Sequence, residues 1–411
     1  MIIFIAFIAM TVPVLGFALT LAYFNQYKRA LASALLCGLA FSAAIYGYIP
    51  DDGNDIFRHM VNLSLYEGIP LWGAFDLLKS DISHISGIYT WDIWMWIMAQ
   101  LGNPYLLQSS GAFIGYSITC YMVFNYAKKT EAPFRKWLPI LMMLLAFTSP
   151  LSLAIGIRSG NAFLICVLAL YRFYIERSSR LSTVLLLLIS FFLHHSIIII
   201  LLLWVAFPLF MKFKFLSIIV ISIGLIGFSN YENYLYVLTS GGMSSGDFVS
   251  NTLYSASAYQ NMGFNSSIHA IVVLLWRLFC AGVLLWLSRK TMLALQEKNL
   301  SNKAMWVYNF FYLALFIYII SIVLLPLIGN NSMRFINVVY LLCFLILMGR
   351  DFCFSSSTNR GIHISSILVG IICIGNVLFL SYNMNWGTGS LASFVISSLL
   401  GYNTRLILYL P

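Results

Sequence analysis

The chain has 411 residues, of which 61% are hydrophobic, 16% aromatic and only 9% charged, against roughly 25% charged residues in soluble domains. So little polar material cannot cover a water-exposed surface, which excludes an ordinary soluble protein and points to a membrane domain. The 23 Lys and Arg against 13 Asp and Glu give a net charge of +10, but the basic residues are spread along the chain and form no basic domain, which argues against nucleic acid as a partner.

At the usual ~20 residues per helix, the apolar content fills about twelve spans and leaves no room for a folded soluble domain. The expected fold class is all-α: a polytopic integral membrane protein with about 12 transmembrane helices, forming a single domain over 1–411. Met1 to Tyr23 resembles a secretory leader but lacks a basic start and runs too long before Lys28-Arg29, so a retained span is predicted over 2–23. Further spans are predicted near 30–48, 105–127, 137–153, 156–175, 181–194, 196–211, 215–228, 268–288, 304–328, 333–348 and 362–382. The pieces 181–194 and 196–211 are divided only by His194-His195-Ser196, as a tight hairpin or a long kinked helix. The stretch 383–411 is broken by Asn385, Gly387, Gly389 and Gly401, which suits an interfacial segment.

Basic residues set the orientation. Lys28/Arg29, Lys128/Lys129/Arg135/Lys136, Arg172/Arg177/Arg180, Lys212/Lys214, Arg289/Lys290/Lys298/Lys303 and Arg350/Arg360 fall on alternate connections. That parity takes the hairpin reading at His194-His195 and puts 17 of the 23 basic residues inside, with both termini outside the cytoplasm. Two outward stretches are long, 49–104 and 229–267. The first carries Asp51, Asp52, Asp55, Arg58, His59, Glu67, Asp76, Lys79, Asp81, His84 and Asp92, and ends in Trp91, Trp94 and Trp96, an aromatic cluster suited to the membrane interface. The second has no Lys or Arg and is rich in Ser, Asn, Gly and Tyr, which suits a mobile lid or a sugar-facing surface.

Insertion explains the inner basic loops, so the informative charges are the outward ones: Arg58, Lys79, Arg158, Arg277, Arg334 and Arg405. An arginine within the hydrocarbon costs about 2.5–3.5 kcal/mol on insertion scales and usually has an anionic partner or lines a watery cavity. Arg277 lies about 13 Å into its predicted span, counting about 1.5 Å per residue; its structural alternative is an ion pair or a carbonyl clamp. Arg158, in GIRSGNAF, sits at an outward helix start, where a guanidinium beside free backbone N–H groups makes a phosphate receptor. Arg334, in NSMRFINVVY, repeats the arrangement. The alternative for each is a residue that snorkels to the interface.

His194 and His195, at a break between apolar helices, and Asp51, Asp52, Asp55 and His59 are the candidates for proton transfer. The DDGND string resembles the aspartate-rich motif that holds magnesium diphosphate in prenyl-chain enzymes, but the second aspartate cluster which that chemistry needs is absent, and a solvated turn is expected. Seven cysteines lie in apolar segments or beside basic loops, without a CxxC, so free thiols and no metal site are expected. No Walker loop or HExxH occurs, which leaves nucleotide-driven transport and metalloproteolysis without support.

The order YIPDDGNDIFRHM, GIRSGNAFLICVLALYRFYIERS, FFLHHSIIIILLLW and NSMRFINVVYLL, over about 45–350, resembles the EpsG-like branch of the Wzy-type polysaccharide polymerases. The resemblance implies a GT-C-like, metal-independent glycosyltransferase of the bacterial inner membrane with no cofactor. It would join undecaprenyl-diphosphate-linked oligosaccharide repeat units on the periplasmic face, transferring the growing glycan to the non-reducing end of an incoming unit in O-antigen or capsule biosynthesis. Membrane lipid, a chain-length regulator and a repeat-unit flippase would be its partners. By position, the family's arginine before a small-residue pair matches Arg158, its His-x-Ser matches His194 and Ser196, its late outward arginine matches Arg334, and its first-loop Asp and nearby basic residue match Asp55 and Arg58. Here the neighbour of Arg158 is Ser159, where many relatives carry Gln, and the histidine is doubled.

From these residues, Arg158, Arg277 and Arg334 are expected to bind diphosphate, with Arg58, His59 and His195 as further substrate contacts and His194 or Asp55 as the base. Two rivals are an O-antigen ligase and a flippase or other polysaccharide transporter. The transporter calls for inverted repeats and midplane carboxylates, neither of which the sequence displays.

Overall fold

The computed structural model describes residues 1–46, 55–77, 89–148 and 156–213, together with positions 153, 313 and 317. Among the described residues every regular element is helical. The chain divides into two compact units, one of Met1–Phe75, Tyr89–His194 and Leu347–Pro411, the other of Asp76–Ile88 and His195–Ile346. The predicted spans at 215–228, 268–288, 304–328, 333–348 and 362–382, and the loop 229–267, lie outside the described residues but for the isolated positions 313 and 317.

The first unit opens with α1 (Ile2–Thr11), α2 (Pro13–Tyr27) and α3 (Ala30–Tyr46). The single span predicted over 2–23 is instead a hairpin. Pro13 brings no amide N–H to the ladder and opens α2, and at Gly16 a Cβ would fall 2.2 Å from Ala9 Cα, so only glycine permits the two helices to close this tightly. Ile5 then meets Tyr23 and Leu36 in one apolar cluster, which brings the start of the chain to the end of α2 that carries Lys28.

Next come α4 (Asp55–Asn62), a 3₁₀ turn (Leu63–Tyr66), α5 (Leu71–Leu77), α6 (Tyr89–Gln100), α7 (Tyr105–Lys129) and α8 (Phe134–Phe147). After them run α9 (Ile157–Tyr171), a π-helical turn (Arg172–Glu176) and α10 (Arg180–Leu193). The loop predicted over 49–104 thus contains three helices, and the spans predicted at 137–153 and 156–175 are α8 and α9, ending earlier at Phe147 and Tyr171. The second unit contains a 3₁₀ turn (His195–Ile197) and α11 (Ile198–Lys212). Among the described residues no helix is long and apolar enough to cross a membrane. The longest, α7 at 25 residues, is interrupted by Gln108, Ser109, Ser110, Ser117, Thr119 and Asn125.

The axis of the first unit is α7, packed along α3 through small residues. Phe41 stacks on Tyr116 with ring centres 3.8 Å apart, Ser109 Oγ donates to the Ser42 carbonyl at 2.7 Å, and Gln108 Nε2 donates to the Ile45 carbonyl at 3.0 Å. Cys37 and Cys120 are buried as free thiols where the two helices meet, and Cys166 is buried on α9. On another side, Gly111 and Gly115 are spaced as in close-packing membrane helices: a Cβ on Gly111 would stand 2.6 Å from Ile157 Cγ1 at the start of α9, and one on Gly115 would stand 2.5 Å from Leu153 Cδ1 just before it. Phe24, Phe124 and Trp137 close the far end by stacking and edge contacts. There Glu176, at the end of the π-helical turn, accepts from Tyr121 Oη at 3.1 Å and from Asn125 Nδ2, tying α9 back to α7.

Candidate functional site

The site forms where α4, α6 and the first turn of α9 meet. In α4 the spacing i, i+3, i+4 lines up Asp55, Arg58 and His59 on one face, and Ile56, fully buried, anchors the helix. Arg58 Nη2 reaches Asp55 Oδ1 at 2.5 Å, but its side chain is 67% exposed, so this pair adds little stability. His59 turns inward, with Nε2 3.9 Å from Asp55 Oδ2.

Arg158 is the second residue of α9, after Gly156 at the N-cap, where no side chain caps the helix. Its Nη2 lies 4.0 Å from Asp55 Oδ2, so two arginines and one histidine converge on one carboxylate. Beneath them is Trp91. The Arg158 guanidinium sits over its ring at 5.7 Å, and the His59 ring meets it edge-on at 4.8 Å. A cation over an indole face is held electrostatically while remaining available to an anion, and the Arg158 side chain is 22% exposed.

Behind Trp91, Asp92 is wholly buried. Tyr66 Oη donates to its Oδ1 at 3.3 Å, while Oδ2 has no hydrogen-bond partner. The tryptophan-rich helix is pinned around this carboxyl. Trp94 Nε1 donates to Ser110 Oγ on α7 at 2.8 Å, Trp96 Nε1 to the Ile69 carbonyl at 2.9 Å, and Gln100 Nε2 to the Tyr66 carbonyl at 3.1 Å.

Burial and charge set opposite protonation tendencies within a few ångströms. Burial, with Arg158 and Arg58 adding to it against the pull of Asp55, pushes His59 down to about 4, so the imidazole is neutral at neutral pH. Burial pushes Asp92 up to about 7, although the Tyr66 hydroxyl and the Arg158 charge both favour its ionised form. Tyr66 is itself driven upward, by burial first and then by Asp92.

Of the residues named from sequence, Asp55, Arg58, His59 and Arg158 come together here. His194 ends α10 in an extended conformation, its N–H donating to the Ser190 carbonyl at 3.0 Å. Two residues before it, Phe192 packs on Tyr89 at the start of α6, with ring centres 5.7 Å apart. His195 belongs to the second unit. Arg277 and Arg334 lie outside the described residues, as do Asp51 and Asp52. Sequence reasoning missed Trp91, Asp92 and Tyr66 as parts of a site. The available signal was an acidic residue amid tryptophans of a short helix, in a segment read only as an interface cluster. No group of His, Cys, Asp and Glu among the described residues could hold a metal ion.

With a carboxylate, two arginines and a buried aspartate brought together from the first long loop and the start of α9, the sequence matches a known family over most of its length. The sequence model of the EpsG family covers residues 54–394, and the chain belongs to that family. Membership implies a polysaccharide polymerase with a glycosyltransferase-like role. No curated protein and no solved structure matches.

Proposed function

We propose that the chain is an inner-membrane polysaccharide polymerase of the Wzy type. It would transfer a growing glycan from undecaprenyl diphosphate to the non-reducing end of an incoming lipid-linked repeat unit on the periplasmic face. The observation that carries this reading is Arg158, held at a helix start between the Asp55 carboxylate and the Trp91 ring, in a chain of the EpsG family. A diphosphate leaving group needs a fixed cation whose bidentate fork matches its oxygens, and the positive end of the helix dipole adds to the attraction.

The reaction breaks the bond between the anomeric carbon and the diphosphate oxygen, with its electron pair departing onto the diphosphate held by Arg158. The acceptor hydroxyl oxygen forms the new bond to that carbon, and its proton passes to Asp55 or His194. Arg58, exposed beside Asp55, and His59, neutral within the site, position the incoming glycan. Trp91 is 3% exposed, which makes it a floor for Arg158 and leaves no face for a sugar to stack on.

The test is the glycan ladder of cells carrying Arg158→Lys and Arg158→Ala, with insertion of each variant verified. Losing a preorganised donor to a developing anion costs about 10²–10³ in rate. Arg158→Ala is therefore expected to leave single repeat units without a ladder, and Arg158→Lys to give a weak one, because an ammonium keeps the charge but not the fork. A normal ladder from Arg158→Ala would overturn the assignment.

A further inference from the structure

The group the reaction scheme leaves unused is Asp92, a carboxyl with no exposure, one tyrosine donor on Oδ1 and nothing on Oδ2. It adjoins the tryptophan on which Arg158 rests, and Arg158 acts electrostatically on both Asp92 and Tyr66. We propose that Asp92 is a proton-linked counterpart of Arg158: when a diphosphate occupies the guanidinium, Asp92 takes up one proton from solvent, and it gives the proton back when the diphosphate leaves. The proposal rests on Arg158 being the diphosphate receptor.

The physical reason is charge balance in a dry place. With the site empty, the Arg158 cation offsets part of the cost of burying the Asp92 anion. The two negative charges of a diphosphate on the guanidinium outweigh that cation by one, so the buried carboxylate loses its support. The Tyr66 hydroxyl and the residue's own backbone N–H cannot hold the charge by themselves, since together they offset only part of the desolvation. Protonation is then the cheaper outcome.

Titratable and charged groups stand on each element around α6. From α4 these are Asp55, Arg58 and His59; from the 3₁₀ turn, Tyr66; from α9, Arg158. From α7 there is Tyr105, and from α10 Arg180 and His194 at its two ends. Asp92 titrates near neutrality, about 7, whereas burial and the arginines hold His59 far below that range, at about 4. Asp92 acts through Arg158 and touches no substrate, which makes it a positioning residue.

The linkage fixes the sign. The proton is bound more tightly in the occupied site, so diphosphate affinity is level at low pH, weakens as pH rises through about 7, at most tenfold per pH unit for one linked proton, and levels again above the occupied-site value. The experiment uses the full chain in lipid nanodiscs and a P1,P2-dialkyl diphosphate, whose two charges do not titrate between pH 5 and 9. Calorimetry at pH 7.5 in buffers of different ionisation enthalpy then counts protons. Uptake of up to about three quarters of a proton per diphosphate is expected, because a carboxyl titrating at about 7 is already partly protonated at this pH, falling toward zero in Asp92→Asn. Tyr66→Phe removes the donor that favours the anion and is expected to move the pH midpoint upward, which tests the idea even if Asp92→Asn fails to fold.

Binding without proton uptake, or uptake lost in His59→Gln but kept in Asp92→Asn, would overturn the Asp92 proposal and leave the polymerase reading intact. Failure of the wild-type chain to bind the diphosphate at any pH would overturn both.

Discussion

At the scale of single residues, the site is a set of ionisable groups whose burial matters as much as their charge. His59 and Asp92 move in opposite directions because burial favours the neutral form of each, and neutrality means a lost proton for one and a kept proton for the other. Their effects on stability follow. His59, held down at about 4, binds fewer protons folded than unfolded, so its contribution is fully present above its unfolded value of roughly 6.5 and is lost as pH falls toward 4. Asp92, raised to about 7, binds more protons folded, so its contribution is fully present below its unfolded value of roughly 3.9 and is lost as pH rises to 7. The two slopes oppose each other and nearly cancel in the wild-type chain. Thermal unfolding from pH 4 to pH 8 is therefore expected to show stability falling with pH in His59→Gln, where Asp92 acts alone, and rising with pH in Asp92→Asn, where His59 acts alone. Slopes unchanged from wild type in both variants would contradict the burial account.

At the scale of elements, the position of Arg158 depends on the glycines of α7. Gly111 lets the start of α9 approach closely and Gly115 makes room for Leu153 just before it, and a Cβ at Gly111 would also stand 2.9 Å from the Leu153 carbonyl, a backbone atom that cannot swing aside. Gly111→Ala is expected to cost about 1–3 kcal/mol, the usual range for overpacking, seen as a lower melting temperature. Because the displaced element carries Arg158, polymer length should shorten as well. By contrast, a Cβ at Gly73 would meet nothing nearer than 3.6 Å, so Gly73→Ala on α5 serves as the comparison and is expected to leave the melting temperature within a degree or two. These outcomes would be measured by thermal unfolding of the purified variants beside their glycan ladders. At the other end of α9, the polar clasp of Glu176 with Tyr121 and Asn125 holds the helix from below. The two contacts together keep α9 from sliding along α7, and so fix how far Arg158 stands from Asp55.

At the scale of the whole molecule, charge asymmetry supports an orientation with 49–104 outside. In that orientation the exposed Arg58 faces the periplasm and Lys129 the cytoplasm. A membrane-impermeant maleimide is expected to label Arg58→Cys in cells with a permeabilised outer membrane and to spare Lys129→Cys until the inner membrane is lysed. The reverse pattern would invert the topology and remove the site from the periplasmic face. The N-terminal hairpin adds a refinement: by bringing Ile5 beside Tyr23, it sets the start of the chain at the same end as Lys28. A cysteine at position 2 should therefore label with Lys28→Cys, whereas a single span over 2–23 would separate them.

The sequence by itself determined the helical class, the family and much of the site, because these depend on composition and on local spacing. Few charges and abundant apolar residues call for helices; i, i+3, i+4 puts Asp55, Arg58 and His59 on one face; and GIRSGNAF marks a helix start bearing Arg158. The break at His194 was likewise legible, as two polar rings between aliphatic runs. The hairpin at Pro13 was not, since hydropathy sums over a window and is blind to a turn whose flanks are equally apolar. Nor could spacing disclose that Trp91 lies between His59 and Arg158, or that Asp92 is sealed behind it against Tyr66. Residues 66, 92 and 158 are far apart in the chain and meet only when α6 and α9 pack around α7. Proximity of that kind, and the desolvation that makes a surface-looking aspartate titrate near neutrality, are properties of the packed chain and were decided by the tertiary structure alone.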